Sequence, residues 1–302
     1  MGGRSLGAED RRSSLTLARS FITYGLFPLT FIAALSTATA AVVFGWNYGL
    51  TLIGITAATI VLIAVIERVH PAHPEWNQAQ GDVVTDLWHG LVSNVTLPEL
   101  LKMGLLTLLV TVESPAGGGL GVWPGDWPLG FQLVLALIVG QFGEYWAHRL
   151  LHTVPFLWRF HAVHHSPERL YFLNAARFHP VDTSLLFCVG LAPLFVLGAG
   201  PDLMLLMMTW ISVHGLFQHC NIHLRLGPLN YIFSMAELHR WHHSLNLEEA
   251  NRNFGNNILF WDLVFGTVYW PKDKDASATI GNNIPEYPKG YLAQLLAPFR
   301  DS

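Results

Sequence analysis

The chain has 302 residues, 51% of them hydrophobic and only 13% charged, about half the ~25% charge of ordinary soluble domains. With a mean hydropathy of +0.36, this is the composition of a membrane protein. A formal net charge of -4 gives no basic surplus for a nucleic-acid partner, and the two cysteines, Cys188 and Cys220, make neither a disulfide framework nor a thiolate metal site.

Residues 1–20 are polar, carry Arg4, Arg11, Arg12 and Arg19, and read as a cytoplasmic N-terminal tail. The uncharged run FITYGLFPLTFIAALSTATAAVVFGW follows, longer than the ~20 residues a spanning helix needs. No small-residue cleavage site precedes a polar mature start, so the run reads as a retained helix and not as a signal peptide. After a short link at residues 47–49, YGLTLIGITAATIVLIAVI completes a helical hairpin that ends at Glu67 and Arg68. A polar segment with His70, His73, Asp82, Asp86 and His89 leads to a third apolar run over residues 97–112. The next loop, SPAGGGLGVWPGDWPLG, has no Lys or Arg, as expected of the non-cytoplasmic side. The fourth run, FQLVLALIVGQFGEYW, brings the chain straight into His148. Four crossings within residues 21–147 therefore place the N-terminus and the histidine region, residues 148–270, together on the cytoplasmic face.

Within that region, residues 185–217 form an apolar stretch broken by Gly198, Gly200 and Pro201 into two pieces, each short for a crossing. A re-entrant or shallow hairpin returns the chain to the same side; two tilted crossings give the same sidedness. Together with Trp158, Tyr171 and Phe172 this hairpin is the candidate lining of a lipid entrance. Residues 271–302 read as a polar, loosely ordered cytoplasmic tail. The expected fold is all-α: a polytopic membrane bundle of about four transmembrane helices plus the hairpin, with a cytoplasmic, helical, histidine-rich cap.

Ten of the fifteen histidines fall into one repeated grammar. H-x-x-x-H followed by H-x-x-H-H uses His148, His152, His161, His164 and His165; the pattern recurs through His219, His223, His239, His242 and His243. On a helix, positions i, i+3 and i+4 share a face, so each element presents two or three imidazoles together. One first-row ion cannot use ten ring nitrogens, whereas two ions with about five each can, which predicts a dinuclear site. Isolated histidines are usually hydrogen-bonded packing residues, the reading given to His70, His73 and His89. His179 and His214 lie between the boxes as supporting or substrate-facing candidates. Glu144, four residues before His148, is placed to accept a proton from a ligand's other ring nitrogen, with Asp182 as a further candidate and Glu237 and Asp262 as weaker ones.

A zinc hydrolase of the H-E-x-x-H kind needs Glu after its first histidine, and this chain has Arg149, Ala162 and Arg240 there. No nucleophile elbow, phosphate loop or dinucleotide fingerprint is present. A pair of redox-active irons that activate dioxygen toward unreactive C–H bonds remains the leading reading. A zinc lipid hydrolase and a metal transporter are the alternatives, although transport sites favour the bilayer midplane and intramembrane carboxylates.

The boxes HRLLH, HAVHH and HRWHH, with the stretch NRNFGNNILFWDLVFGTVY, resemble the fatty acid hydroxylase and sterol desaturase superfamily of membrane di-iron oxygenases over residues 86–270. The short gap between His152 and His161 separates the chain from acyl-CoA desaturases. The resemblance implies an O2-dependent hydroxylase or desaturase of a lipid, holding two iron ions on all ten histidines. The eight histidines of the three boxes would be catalytic, with electrons from an external ferredoxin or small haem protein and its reductase.

Overall fold

A computed structural model describes residues 8–111, 120–276 and 278–300, with side chains from residue 16 onward and not at 109–111. Arg4, and residues 112–119 at the end of the third run and the start of the following loop, lie outside the described residues.

Among the described residues the chain is all helix, with three isolated backbone bridges and no strand. Helix α1 (Ala8–Phe44) runs through the first apolar stretch, and α2 (Tyr48–Val69) starts where the Asn47 side chain accepts a hydrogen bond from the Leu50 amide at 2.9 Å. The inward face of α1 carries Phe27, Phe31, Ala34, Ala38 and Ala41, spaced four and three apart and nearly fully buried. Small residues at that spacing let helices approach closely in lipid, where apolar burial between helices gives no advantage over contact with acyl chains. The opposite faces carry exposed Phe21, Ile32, Val61 and Val65.

The third helix starts earlier than the sequence suggests. Helix α3 (Val83–His89) continues through a π-helical turn, Gly90–Thr96, into α4 (Leu97–Thr111). Its first turns look polar in the sequence because Asp86 and His89 point inward and are completely buried. Helix α5 (Leu129–Thr153) descends into the first histidine box and is followed at once by α6 (Pro155–His161).

The apolar stretch at 185–217 divides into α7 (Pro180–Gly190), α8 (Ala192–Leu197) and α9 (Pro201–His219), with Gly198 at φ +95° turning the chain between the last two. Five segments are long and apolar enough to cross a membrane: Thr16–Phe44, Tyr48–Val69, Val83–Leu108, Leu129–Thr153 and Pro180–Leu197. The chain is a multi-pass membrane protein, and the expected short first arm of the hairpin is itself span-length. The second arm, α9, is the central helix, packed against α1, α2 and α5, with Leu203, Met207, Val213 and Phe217 buried in the core.

Four short helices complete the chain: α10 (Ala236–His242), α11 (Leu247–Ala250), α12 (Phe260–Phe265) and α13 (Tyr291–Leu296). The C-terminal segment does not trail away as a loose tail. Gln294 is 1% exposed and its amide oxygen meets the His89 ring at 2.9 Å, so α13 is pinned against α3.

Candidate metal centre

Four segments converge at one end of the bundle: the last turns of α5, the end of α6 with the residues just past it, the last residue of α9, and α10 with His243 after it. They bring nine imidazoles together in two groups. His148, His152, His161, His165 and His242 form one; His164, His219, His239 and His243 form the other. Within each group the ligating atoms all lie within 4.8 Å of one another. Opposite ligands on a single ion, with bonds of ~2.1 Å, stand ~4.2 Å apart, so each group has the dimensions of one coordination sphere. The groups adjoin: the His165 and His243 rings stack with centroids 4.2 Å apart.

The boxes do not map one to one onto the groups. Positions i and i+4 differ by only about 40° around a helix, whereas i+3 lies about 60° to the other side. Accordingly His148/His152 and His161/His165 stay together, as do His239/His243, while the middle histidines His164 and His242 cross to the opposite group. The backbone keeps the helical spacing past the end of α6, where the His165 amide donates to the His161 carbonyl at 3.2 Å.

His223 is in neither group. Helix α9 ends at His219 and Cys220 turns out of it at ψ 142°, so the i, i+4 relation that would place His223 beside His219 does not exist. His223 is half-buried and its ring lies 6.1 Å from that of His70.

The outward ring nitrogens explain why the inward ones are free to bind. Nδ1–H of His148 donates to the Phe254 carbonyl at 2.7 Å, that of His164 to Arg177 at 3.1 Å, and that of His242 to Arg252 at 2.8 Å. His161 donates to the Asp182 carboxylate at 2.7 Å and His219 to the Asn174 amide oxygen at 3.0 Å. Each acceptor fixes the proton on Nδ1 and leaves a lone pair on Nε2. The Nε2 atoms of His148 and His161 nevertheless face each other at 3.0 Å. Two lone pairs cannot hydrogen-bond, and the spacing is that of two neighbouring ligands able to share one cation. The Nε2 atoms of His152, His165 and His242 are buried without a hydrogen-bond partner, which fits the same donor set. Burial first, and neighbouring imidazoles second, hold His161, His164, His165, His239, His242 and His243 well below the ordinary histidine pKa, so they are neutral and able to ligate at neutral pH. An all-imidazole set with no thiolate suits iron as well as zinc.

The supporting residues differ from expectation in informative ways. Asp182 holds a ligand as anticipated. Glu144 does not: it accepts from Gln141 at 2.6 Å and Asn256 at 3.3 Å, and it sits against Gly190, where any Cβ would strike it. Asp262 acts one step away, accepting from the Phe254 and Gly255 amides at 2.8 and 2.7 Å and so fixing the carbonyl that holds His148. Glu237 pairs with Arg225 at 2.8 Å and touches no histidine ligand. His179 accepts from the Val181 amide at the start of α7, and its other nitrogen meets the Leu295 carbonyl at 3.2 Å. His214 is buried among Phe27 and Phe233 and makes no hydrogen bond. Tyr171 is not free to line an entrance, because its hydroxyl donates to Asp86 at 2.7 Å; Phe172 is half-buried, its amide donating to Glu67 at 2.9 Å; Trp158 lies against His152 and His165. Asn174, Phe178 stacked on His164 at 4.2 Å, and the three carbonyl acceptors carried no signal in the sequence.

A buried ionic network supports this shell. Arg169 makes two hydrogen bonds to Asp82, at 2.7 and 2.8 Å, and Arg177 binds Asp86 at 2.5 Å. It ties the loop between α6 and α7 to α3, setting the Arg177 carbonyl that holds His164.

The fold and site thus define a multi-pass membrane protein with two adjoining histidine clusters able to hold metal. Residues 133–267 match the family model described as fatty acid hydroxylase. Ornithine lipid hydroxylase OlsE of Rhizobium tropici is 40% identical over 245 residues, covering 80% of this chain and 73% of that protein. Alkylglycerol monooxygenase of Homo sapiens is 32% identical over 136 residues, 44% of this chain and 30% of that protein. Methylsterol monooxygenase 2-2 of Arabidopsis thaliana is 28% identical over 142 residues, 45% of this chain and 52% of that protein. No solved structure matches the chain. The chain belongs to the fatty acid hydroxylase/sterol desaturase superfamily of lipid-modifying membrane oxidoreductases.

Proposed function

We propose that this protein hydroxylates a membrane lipid, using O2, two iron ions held by the nine clustered histidines, and electrons from an external ferredoxin or small haem protein with its reductase. The observation that carries the reading is the pairing of two imidazole groups, five and four strong, whose unprotonated nitrogens point at two adjoining centres. When bound, iron supplies the oxygen activation and one-electron chemistry that no side chain can perform. The chain's own residues do the remainder. Asp182, Asn174 and the three carbonyls hold ring orientation, and burial of every ligand except the half-buried His152 keeps bulk water out. His223 has no part in the site.

The clusters are assigned to the cytoplasmic face. The Arg225 amide donates to the Thr23 carbonyl at 2.9 Å, so the end of α1 nearest the Arg-bearing N-terminus lies at the cluster end of the bundle. Positive charge concentrates on the cytoplasmic side, which supports that orientation. Helices α7, α8 and α9 leave the cluster end and return to it, whether or not they cross fully.

The similarity to an ornithine lipid hydroxylase favours hydroxylation over desaturation and a polar membrane lipid as substrate. The test is to express the chain and its His164→Ala variant and compare their lipids by mass spectrometry. A lipid that gains one oxygen atom only with the intact chain supports the reading; a loss of two hydrogens, or no change in any lipid, overturns it.

A further inference from the structure

The C-terminal segment folds over the histidine region. The Gly281 amide donates to the His243 carbonyl at 3.2 Å, the Asn282 side-chain amide to the Ala162 carbonyl at 3.0 Å, and the Gln294 amide to the Ser166 hydroxyl at 3.2 Å. Between this segment and the end of the second box lies a cavity of about 630 Å³, within the ~300–1,000 Å³ range of small-molecule sites. Ser166, next to His165, and Leu245, two residues past His243, line it, so the cavity adjoins the clusters through their own backbone.

Two hydrogen-bond donors on its wall have no acceptor. Arg177 is 3% exposed; its Nε binds Asp86 and its Nη1 reaches Ser166, but Nη2 is unpartnered. The buried Tyr287 hydroxyl is unpartnered too. Arg177 lies close enough to Tyr287 to oppose the upward push that burial gives the hydroxyl pKa. Buried donors left unmade cost stability, and a guanidinium and a phenol lining one cavity are donors that an anion satisfies. The carboxylates around the cavity are mostly spoken for: Asp82 is held by Arg169, and Glu168 pairs with Lys289 at 3.6 Å. Glu286, exposed on the same wall, pairs with no cation among the described residues.

We propose that this cavity binds the carboxylate or phosphate of a lipid headgroup through Arg177 and Tyr287, and that Glu286 favours headgroups that also carry an ammonium. The proposal deepens the lipid-hydroxylase reading by naming the substrate's polar end, and rests on it only for the lipid origin of the ligand.

The test is calorimetric titration of the full, metal-loaded chain in uncharged detergent with inorganic phosphate and with phosphoethanolamine. Both should bind, phosphoethanolamine more tightly. Tyr287→Phe should weaken both by about tenfold, the size expected for one hydrogen bond to a charged group. Glu286→Gln, on an exposed side chain that folding does not need, should abolish the preference for phosphoethanolamine. In nanodiscs of phosphatidylethanolamine the phosphate titration should be suppressed by competing headgroups. Equal phosphate binding in nanodiscs and detergent would mean the cavity takes free phosphate and would overturn the headgroup assignment. No binding by the intact chain, or a folded Tyr287→Phe variant that binds like it, overturns the site itself. A chain that binds but oxidises no lipid keeps this site and loses the proposed activity; the reverse result loses only the site.

Discussion

Asp182→Asn is the most informative substitution in the ligand shell. Asp182 Oδ2 lies 2.7 Å from His161 Nδ1, with side-chain exposures of 0% and 1%. Asparagine keeps the shape and an acceptor oxygen but removes the charge. A hydrogen bond to a charged group contributes about 1.5–3 kcal/mol against about 1 kcal/mol for a neutral one, so the change should cost about 0.5–2 kcal/mol, or roughly 2–30-fold in metal affinity. Asp182→Ala removes the acceptor altogether and should reach the upper end of the roughly 10–100-fold effects seen when a ligand's outer partner is deleted. His161 belongs to the five-histidine group, so that centre should empty first while the four-histidine centre holds. The assay is elemental analysis of purified protein across increasing chelator, with thermal unfolding of the metal-free protein as a control. If both variants retain metal like the parent, or lose it only in step with loss of fold, the orienting role assigned to Asp182 is refuted.

Further outcomes follow from the same geometry. His164→Ala should abolish product formation while leaving membrane insertion intact, whereas His223→Ala should leave metal content unchanged; loss of metal in the latter, by elemental analysis, would restore His223 to the site. Gly143→Ala places a Cβ against the Val189 carbonyl, where α5 and α7 meet, and should destabilise by about 1–3 kcal/mol as overpacking does, read as a lowered unfolding midpoint. The metal-free protein should lose stability as pH falls below the ordinary histidine value of 6.5. The seven cluster histidines outside the five span-length segments, His219 among them, have depressed folded pKa values, so below 6.5 the unfolded chain takes up protons that the folded one refuses. Each adds a slope of up to about 1.4 kcal/mol per pH unit. A midpoint that is flat or rises between pH 7 and pH 5, on the order of the whole transition, would contradict this sign.

The sequence by itself determined what is local. Uncharged runs long enough to span, the Arg-rich entry, and the i, i+4 histidine pairs on α5, α6 and α10 all follow from helical periodicity and side-chain chemistry. Nine of the ten anticipated ligands converge, six of them as such i, i+4 pairs. The tertiary structure decided what depends on chain reversals. Where α9 stops removes His223, because a periodicity argument holds only while the helix continues. Which group each box serves was set by the docking of α6 and α10 across the end of α5, so His164 and His242 change sides. Most acceptors that orient the rings are backbone carbonyls, which every residue has and no sequence pattern marks. Asp86 read only as part of a polar segment and His89 as a hydrogen-bonded packing residue; no local pattern marked that their partners, Arg177 and Gln294, arrive from 91 and 205 residues further along the chain.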